Sequence, residues 1–395
     1  MDVTVTPAKL QGTVIPPPSK SQAHRVLIAA ALADGVSHIT NVAPSQDIKA
    51  TQDCMAALKS GTPAGLDGLP LLDCGESGST LRFLVPVALV LRGGGCFTGR
   101  GRLMERPLTP YFDIFREKGV FWERIGNRLE VKGTLSPGEY RLPGNVSSQF
   151  VTGLLYALPL LGGDSEIVLT SPLESRGYVD MTLDALGLFG VRVENQRCER
   201  FLIPGNQRYQ PRNFSIEADW SQAGFWYAAR FLGSPVEVGG MDPGSAQGDR
   251  VIAAHFETLS RPGEVDIDVS DCPDLVPPLA AMAALRAGRV TRLTNAARLR
   301  AKESDRLASV TQALSALGAD ITEGQDSLTV RGKDSLTGGV KVDSFNDHRI
   351  AMMAAVAATR CGKPVTVTGA ECVVKSYPNF WEEYESLGGK IEKSE

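Results

Sequence analysis

The sequence predicts an α/β protein of two domains, each built from three copies of one strand–helix–strand–helix–strand–strand unit. Three observations carry that expectation. A polar turn leading into an apolar, alanine-rich helix is written six times at roughly even spacing. Between these copies come amphipathic helical stretches that stop at glycine, followed by short alternating strands. At 395 residues the chain is too long for one ordinary core, and two domains of about 200 residues are the natural division.

The first copy spans residues 16–33, where prolines stop any preceding element and Ser19-Lys20-Ser21-Gln22 opens an apolar helix. Asp73-Cys74-Gly75-Glu76-Ser77-Gly78-Ser79-Thr80 leads in the same way into 81–91, and Leu142-Pro143-Gly144-Asn145-Val146-Ser147-Ser148-Gln149 into 150–161. Ile216-Glu217-Ala218-Asp219-Trp220-Ser221-Gln222-Ala223 leads into 224–232, and Val269-Ser270-Asp271-Cys272-Pro273-Asp274 into 275–285. The last copy, Val342-Asp343-Ser344-Phe345-Asn346-Asp347-His348-Arg349, leads into 350–358. Helices so apolar are expected to be buried on all sides, with their polar N-termini facing a common cleft. Second helices are expected at 111–118, 181–189, 310–317 and 380–387, each ending at a glycine suited to a left-handed cap. Strands are expected at 191–194, 319–322 and 326–330.

A net charge of −4 gives no support to nucleic-acid binding, so basic chemistry must be local. The longest apolar runs, such as 83–91, fall well short of the roughly 20 residues a bilayer helix needs, and no membrane partner is expected. Seven cysteines without Cys-x-x-Cys spacing and four dispersed histidines predict reduced thiols and no metal site. With neither a basic nor an apolar leader at Met1-Asp2-Val3-Thr4, the chain is expected in the cytoplasm.

Lys20, Arg25, Arg82, Arg102, Arg106, Arg176, Lys302, Arg306, Arg349 and Lys375 mostly fall beside a helix start or a Gly/Pro turn. Helix N-termini favour anions, arginine offers a two-pronged fork, and lysine a point charge. Singly, each reads as a solvated surface charge; as a set they predict a ligand carrying both carboxylate and phosphate. Two carboxylates break the pattern. Asp274 sits at a proline-flanked helix start, and Glu303 lies between Lys302 and Ser304-Asp305-Arg306. Each reads either as a proton-transfer group or more plainly, Asp274 as an N-cap and Glu303 as an ion pair within a helix. A phosphate-binding Gly-x-x-x-x-Gly-Lys-Ser/Thr loop, a Gly-x-Ser-x-Gly elbow and a His-Glu-x-x-His zinc motif are all missing.

Seven stretches together resemble the 5-enolpyruvylshikimate-3-phosphate synthase family. They are Pro18-Ser19-Lys20-Ser21-Gln22-Ala23-His24-Arg25, Gly75–82, Arg102-Leu103-Met104-Glu105-Arg106-Pro107, Ser147-Ser148-Gln149, Lys302-Glu303-Ser304-Asp305-Arg306, Asn346-Asp347-His348-Arg349 and Lys375-Ser376-Tyr377-Pro378. They run in family order across nearly the whole chain. The resemblance implies a two-domain inside-out α/β barrel. One domain is 1–18 plus 219–395, the other is 19–218, and the active site lies in the cleft between them. It also implies transfer of the enolpyruvyl group of phosphoenolpyruvate to the 5-hydroxyl of shikimate-3-phosphate, through a tetrahedral intermediate, with no cofactor or metal and as a monomer.

By the same resemblance, Lys20, Gly78, Arg102, Gln149, Arg306, Arg349 and Lys375 take phosphoenolpyruvate. Ser21, Arg25, Ser147, Ser148, Gln149, Ser175, Tyr178, Asp274 and Lys302 take shikimate-3-phosphate. Asp274 acts as base at the 5-hydroxyl, Glu303 moves the methylene proton, and Lys20 assists. Glu76, Ser79 and Arg298 depart from the usual pattern. A UDP-N-acetylglucosamine enolpyruvyl transferase would share the repeats, but it usually has Lys-Asn where Lys20-Ser21 stand. A binding protein on the same scaffold would have no need for the Lys20, Asp274, Glu303 and His348-Arg349 set.

Overall fold

The structure, a computed structural model, describes residues 1–60 and 68–394. The chain forms two compact units, Lys20–Ile216 and Met1–Ser19 with Glu217–Glu395. The second unit extends one residue beyond 18 and begins two before 219, for a local reason. Ser19 N–H donates to Glu217 O (2.7 Å), Asp219 N–H donates to Pro17 O (2.9 Å), and Pro18 bridges Ala218. The two crossing strands are therefore tied together within that unit.

The unit Lys20–Ile216 holds helices α1 (Lys20–Leu32), α2 (Gln46–Ser60), α3 (Gly78–Arg92), α4 (Thr109–Lys118), α5 (Ser148–Ala157) and α6 (Arg176–Leu188). The other holds α7 (Trp220–Phe231), α8 (Ile252–Ser260), α9 (Val276–Ala284), α10 (Arg306–Ala316), α11 (His348–Ala358) and α12 (Phe380–Ser386). The helices α3, α5, α9 and α11 are buried along almost their whole length, as an all-apolar sequence requires. Each unit has its own core, one running from Ala23 to Ile216 and the other joining Val3 and Val5 to Trp220–Leu387.

One sheet pattern recurs four times. Leu71–Asp73 pairs in parallel with Gly94–Thr98, which pairs antiparallel with Arg128–Lys132, whose other side takes Phe121–Ile125. Gly138–Leu142, Ser165–Leu169, Arg200–Ile203 and Glu194–Gln196 repeat the order, as do Val265–Asp268, Val290–Thr294, Leu328–Arg331 and Asp320–Glu323. In the fourth sheet, Lys341–Asp343 and Val365–Thr368 are followed not by a late strand but by Asp2–Thr6, then Lys390–Ser394. The first strand of the chain thus completes its last unit. The remaining pairs are short and parallel: Ile39–Thr40 with Phe214–Ser215, Gly12–Val14 with Val236–Val238, and Leu336–Gly338 with Cys361–Lys363.

Two details of the α3–α5 pair show how the sequence sets the packing. Pro86 lies inside α3 and has no N–H to give to the carbonyl of Arg82 four residues back. Tyr111 O–H donates to that carbonyl instead, at 2.6 Å. Gly153 of α5 passes directly over the same atom, and a Cβ there would lie 2.4 Å from it. Only glycine fits.

Three expectations are corrected. Residues 191–193 are not a strand; Val191 N–H is taken by Leu186 O (2.9 Å) and Arg192 N–H by Gln207 Oε1 (2.7 Å), so pairing begins at Glu194. The helix expected over 150–161 ends at Ala157 and tightens into a 3₁₀ turn at Leu158–Leu160, where Pro159 cannot continue it. Likewise the helix expected from 275 opens as a 3₁₀ turn at Pro273–Leu275, and α9 proper begins at Val276 with prolines in its first turn.

Candidate active site

The predicted residues gather in two clusters, one in each unit. In Lys20–Ile216, α1 opens at Lys20, whose Nζ lies 2.9 Å from Asp47 Oδ2 in the first turn of α2. The two side chains are 15% and 12% exposed, so each ion depends on the other. Arg25 is buried; its Nε donates to Tyr178 O (3.1 Å) and Thr182 Oγ1 (2.9 Å), and its Nη1 to Ser21 O (2.7 Å). Its guanidinium also lies over the rings of Phe83 and Tyr178. Burial pulls its pKa down to about 10, which still leaves it charged at neutral pH. Ser21, Arg25 and Tyr178 are therefore one assembly.

Beside them Ser77 caps α3, accepting from Thr80 N–H, so Gly78 is the first helical residue. A Cβ on Gly78 would lie 2.7 Å from Arg106 Nη1 and 3.6 Å from Gln149 Oε1, so the bare backbone is open toward both. Gln149 Oε1 accepts from Arg82 Nη1 (2.7 Å), and its Nε2 donates to Ser79 Oγ (3.0 Å). Ser147 caps α5 by accepting from Gln149 N–H, with Ser148 as the first helical residue. Ser175, buried in the left-handed region at φ 57°, starts α6. Arg102 stands apart, half exposed and 3.8 Å from Glu105.

In the other unit one guanidinium organises the site. Arg306, at the start of α10 and 1% exposed, donates from Nη1 to Asp274 Oδ1 (2.7 Å) and from Nη2 to Glu303 Oε2 (2.6 Å). Its Nε donates to Asp347 Oδ2 (2.8 Å). Burial alone would depress its pKa; Asp347, Glu303 and Asp274 outweigh that and raise it. Asp274 also accepts from Arg349 Nη2 (3.0 Å) and lies 3.4 Å from Lys302 Nζ. For Lys302, burial dominates and lowers the pKa, helped by Arg306 and Arg298 against Asp274 and Glu303. Lys375 is buried and donates to Asn346 O (2.7 Å).

Two features of this cluster were not foreseen. The sequence suggested a set of cations awaiting an anionic ligand, whereas Lys302, Arg306 and Arg349 are met by Asp274, Glu303 and Asp347, three charges against three. Asp249 lies in the same neighbourhood, hydrogen-bonded by Ser221 Oγ at 2.5 Å. Its pKa is raised to about 6, by burial first and then by Asp274. Neither Asp249 nor Asp47 was singled out from sequence. Asp47 sits in the first turn of α2, which Ser45 meets with its hydroxyl and carbonyl. Asp249 sits in a short 3₁₀ turn.

The model of the EPSP synthase (3-phosphoshikimate 1-carboxyvinyltransferase) family matches residues 5–384. A 3-phosphoshikimate 1-carboxyvinyltransferase of Clostridium kluyveri is 46% identical over 420 aligned residues, covering 99% of this chain and 98% of the relative. One from Clostridium novyi is 44% identical with the same coverage. The fold is also that of a solved EPSP synthase from Acinetobacter baumannii, with a TM-score of 0.78 at 23% identity, covering 99% of this chain and all of that one. With the match spanning both units and every stretch that supplies the two clusters, the chain belongs to the EPSP synthase family.

Proposed function

We propose that this chain transfers the enolpyruvyl group of phosphoenolpyruvate to the 5-hydroxyl of shikimate-3-phosphate by addition and elimination, with Asp274 and Glu303 handling the protons. The observation that carries this is the placing of both carboxylates on one buried guanidinium, Arg306. That fork holds both carboxylates to one cation.

In the addition step Glu303 gives a proton to the methylene carbon, which makes the neighbouring carbon electron-poor, and the 5-hydroxyl oxygen bonds to it. Asp274 takes the hydroxyl proton. In the elimination step Glu303 recovers a proton from the new methyl group, the carbon–phosphate oxygen bond breaks, and phosphate leaves with the proton that Asp274 took from the hydroxyl, with Lys20 assisting. Glu303 is anchored to Arg306 through Oε2 while it gives and recovers the proton.

Three cations hold the Asp274 carboxylate, Lys302, Arg306 and Arg349. The carboxylate and phosphate of phosphoenolpyruvate offer Arg306, Arg349 and Lys375 competing anions, so substrate binding itself frees Asp274 to accept a proton. Lys20, Arg102, Gly78 and Gln149 serve the same substrate. Ser21, Arg25, Ser147, Ser148, Gln149, Ser175, Tyr178 and Lys302 hold shikimate-3-phosphate, whose doubly charged phosphate suits a helix start lined by hydroxyls.

The working form is a single chain in the cytoplasm, acting on small molecules. Each cluster is built from residues of this one chain, and six of the seven cysteines are buried free thiols, as a reducing compartment favours. No described helix is long and apolar enough to cross a membrane. The test is phosphate release from phosphoenolpyruvate by the purified protein. Release that depends on shikimate-3-phosphate is expected; none at saturating concentrations of both would remove the proposal.

A further inference from the structure

Behind the Lys20 cluster runs a line of buried polar groups that none of these roles uses. His24 lies one helical turn beyond Lys20 and is 1% exposed. Its Nδ1 is 2.7 Å from Thr51 Oγ1, and Thr51 Oγ1 is 2.7 Å from Thr80 Oγ1. Thr80 O–H donates to Ser77 Oγ at 2.7 Å, and Ser77 is the cap of α3. Thr51, Thr80 and Ser77 are all 1% exposed or less. Thr51 lies one turn beyond Asp47, so Lys20–Asp47 and His24–Thr51 are two successive rungs between α1 and α2. The second rung continues into α3.

The hydrogen-bond inventory sets a direction for this line. His24 Nε2 is buried and has no hydrogen-bond partner among the described residues. A buried N–H left unmet is rarer and more costly than an acceptor left unmet, so the bare atom at Nε2 is the lone pair. The proton is then on Nδ1, which donates to Thr51. Thr51 in turn donates to Thr80, and Thr80 to Ser77. Ser77 Oγ also accepts from Thr80 N–H (3.1 Å), so both of its acceptor positions are filled. Burial, followed by Lys20 and Arg25, pushes the His24 pKa well below its ordinary value and keeps the ring neutral. A charged ring would have a second N–H to place in an apolar wall, edge-on to Phe83.

We propose that His24 is a positioning residue: the one-way hydroxyl ladder it heads locks the first turns of α1, α2 and α3 in register and so sets the spacing between Lys20 and Gly78. The inference rests on the reading of Lys20 and Gly78 as ligands of phosphoenolpyruvate. His24 touches no substrate. Its work is done through Thr51 and Thr80, and small errors of placement at such a site cost much in binding.

Three variants and one spectrum test it. Asparagine at 24 places its amide nitrogen near the position of Nδ1, whereas glutamine places it near Nε2. His24→Asn is therefore expected to keep the KM for phosphoenolpyruvate within about threefold of wild type, and His24→Gln and His24→Leu to raise it about tenfold or more. In all three, kcat is expected to fall less than the KM rises. Equal KM values for the Asn and Gln variants, with an active wild type, would overturn the proposal. A wild type without activity would instead overturn the functional reading. Independently of activity, nitrogen-15 correlation spectra of histidine-labelled wild-type protein are expected to show the neutral His24 ring protonated at Nδ1. A ring protonated at Nε2 would overturn the direction of the ladder and with it the proposal.

Discussion

Asp274 and Glu303 hang from one guanidinium, so the two proposed proton-transfer groups are separable only by changes that leave Arg306 in place. Glu303→Gln does so, since the amide oxygen still accepts from Nη2 while the group no longer exchanges a proton. Turnover is expected to fall about 10²–10⁴-fold, the scale of lost acid–base catalysis, with the dissociation constant of shikimate-3-phosphate nearly unchanged. Steady-state rates and calorimetric titration check both halves, and unchanged turnover would take Glu303 out of its role.

Asp249 gives a pH dependence whose sign follows from its environment. Burial, followed by Asp274, raises its pKa in the folded state to about 6, against an ordinary aspartate value of about 4. Between those values the native state keeps a proton that the unfolded chain has lost, so this group makes stability fall as pH rises from about 4 to about 6. Asp249→Asn is expected to remove that fall and to raise stability at pH 7 by up to about 3 kcal/mol. Denaturant midpoints of both proteins at pH 4 and pH 7 measure it; a wild-type curve parallel to the variant's would contradict it.

At this scale the sequence showed the cations and the two odd carboxylates. It did not show Asp347 as the third carboxylate among them. Asp347 stood inside a legible motif, yet its placement against Arg306 depends on α10 and α11 packing side by side, which no spacing along the chain announces.

Among the elements, α3 shows how a local defect is repaired by a partner. Pro86 leaves the Arg82 carbonyl without its helical donor, and Tyr111 O–H fills the vacancy at 2.6 Å. Tyr111→Phe keeps the ring, which packs against Phe115 and Phe150, and removes only the donor. A loss of about 1–3 kcal/mol is expected from the buried carbonyl left unmet. A variant as stable as wild type in denaturant titration would mean that another donor replaces the hydroxyl.

The helices α3, α5, α9 and α11 were legible because burial on all sides leaves an unbroken apolar run, whereas α1, expected to be the same, has only six of its 13 residues buried. The glycine-capped helices α4, α6, α10 and α12 were legible because each stops at glycine. The helix α8 was not, since only Ile252 and Leu259 of its nine residues are buried and it ends at Arg261 without such a stop. The helix α2 does carry buried Ile48, Thr51, Cys54, Met55 and Leu58 at helical spacing, but its polar residues obscured them. The place of Asp2–Thr6 in the last sheet was beyond reach, because strand order between chain ends leaves no local mark.

For the molecule as a whole, two crossings of the chain divide it into two units with a core each, and each unit carries one of the two clusters. The claim that unites them is that the chemistry goes by addition and elimination, with a methyl group formed and then unmade. Carrying out the reaction in D₂O tests this most directly. Proton NMR of the 5-enolpyruvyl product is expected to show deuterium at its methylene carbon, because the proton given in the first step comes from a group in exchange with solvent and the one removed later need not be the same. A product formed in D₂O with its methylene hydrogens wholly undeuterated, from phosphoenolpyruvate that never became a methyl, would contradict it.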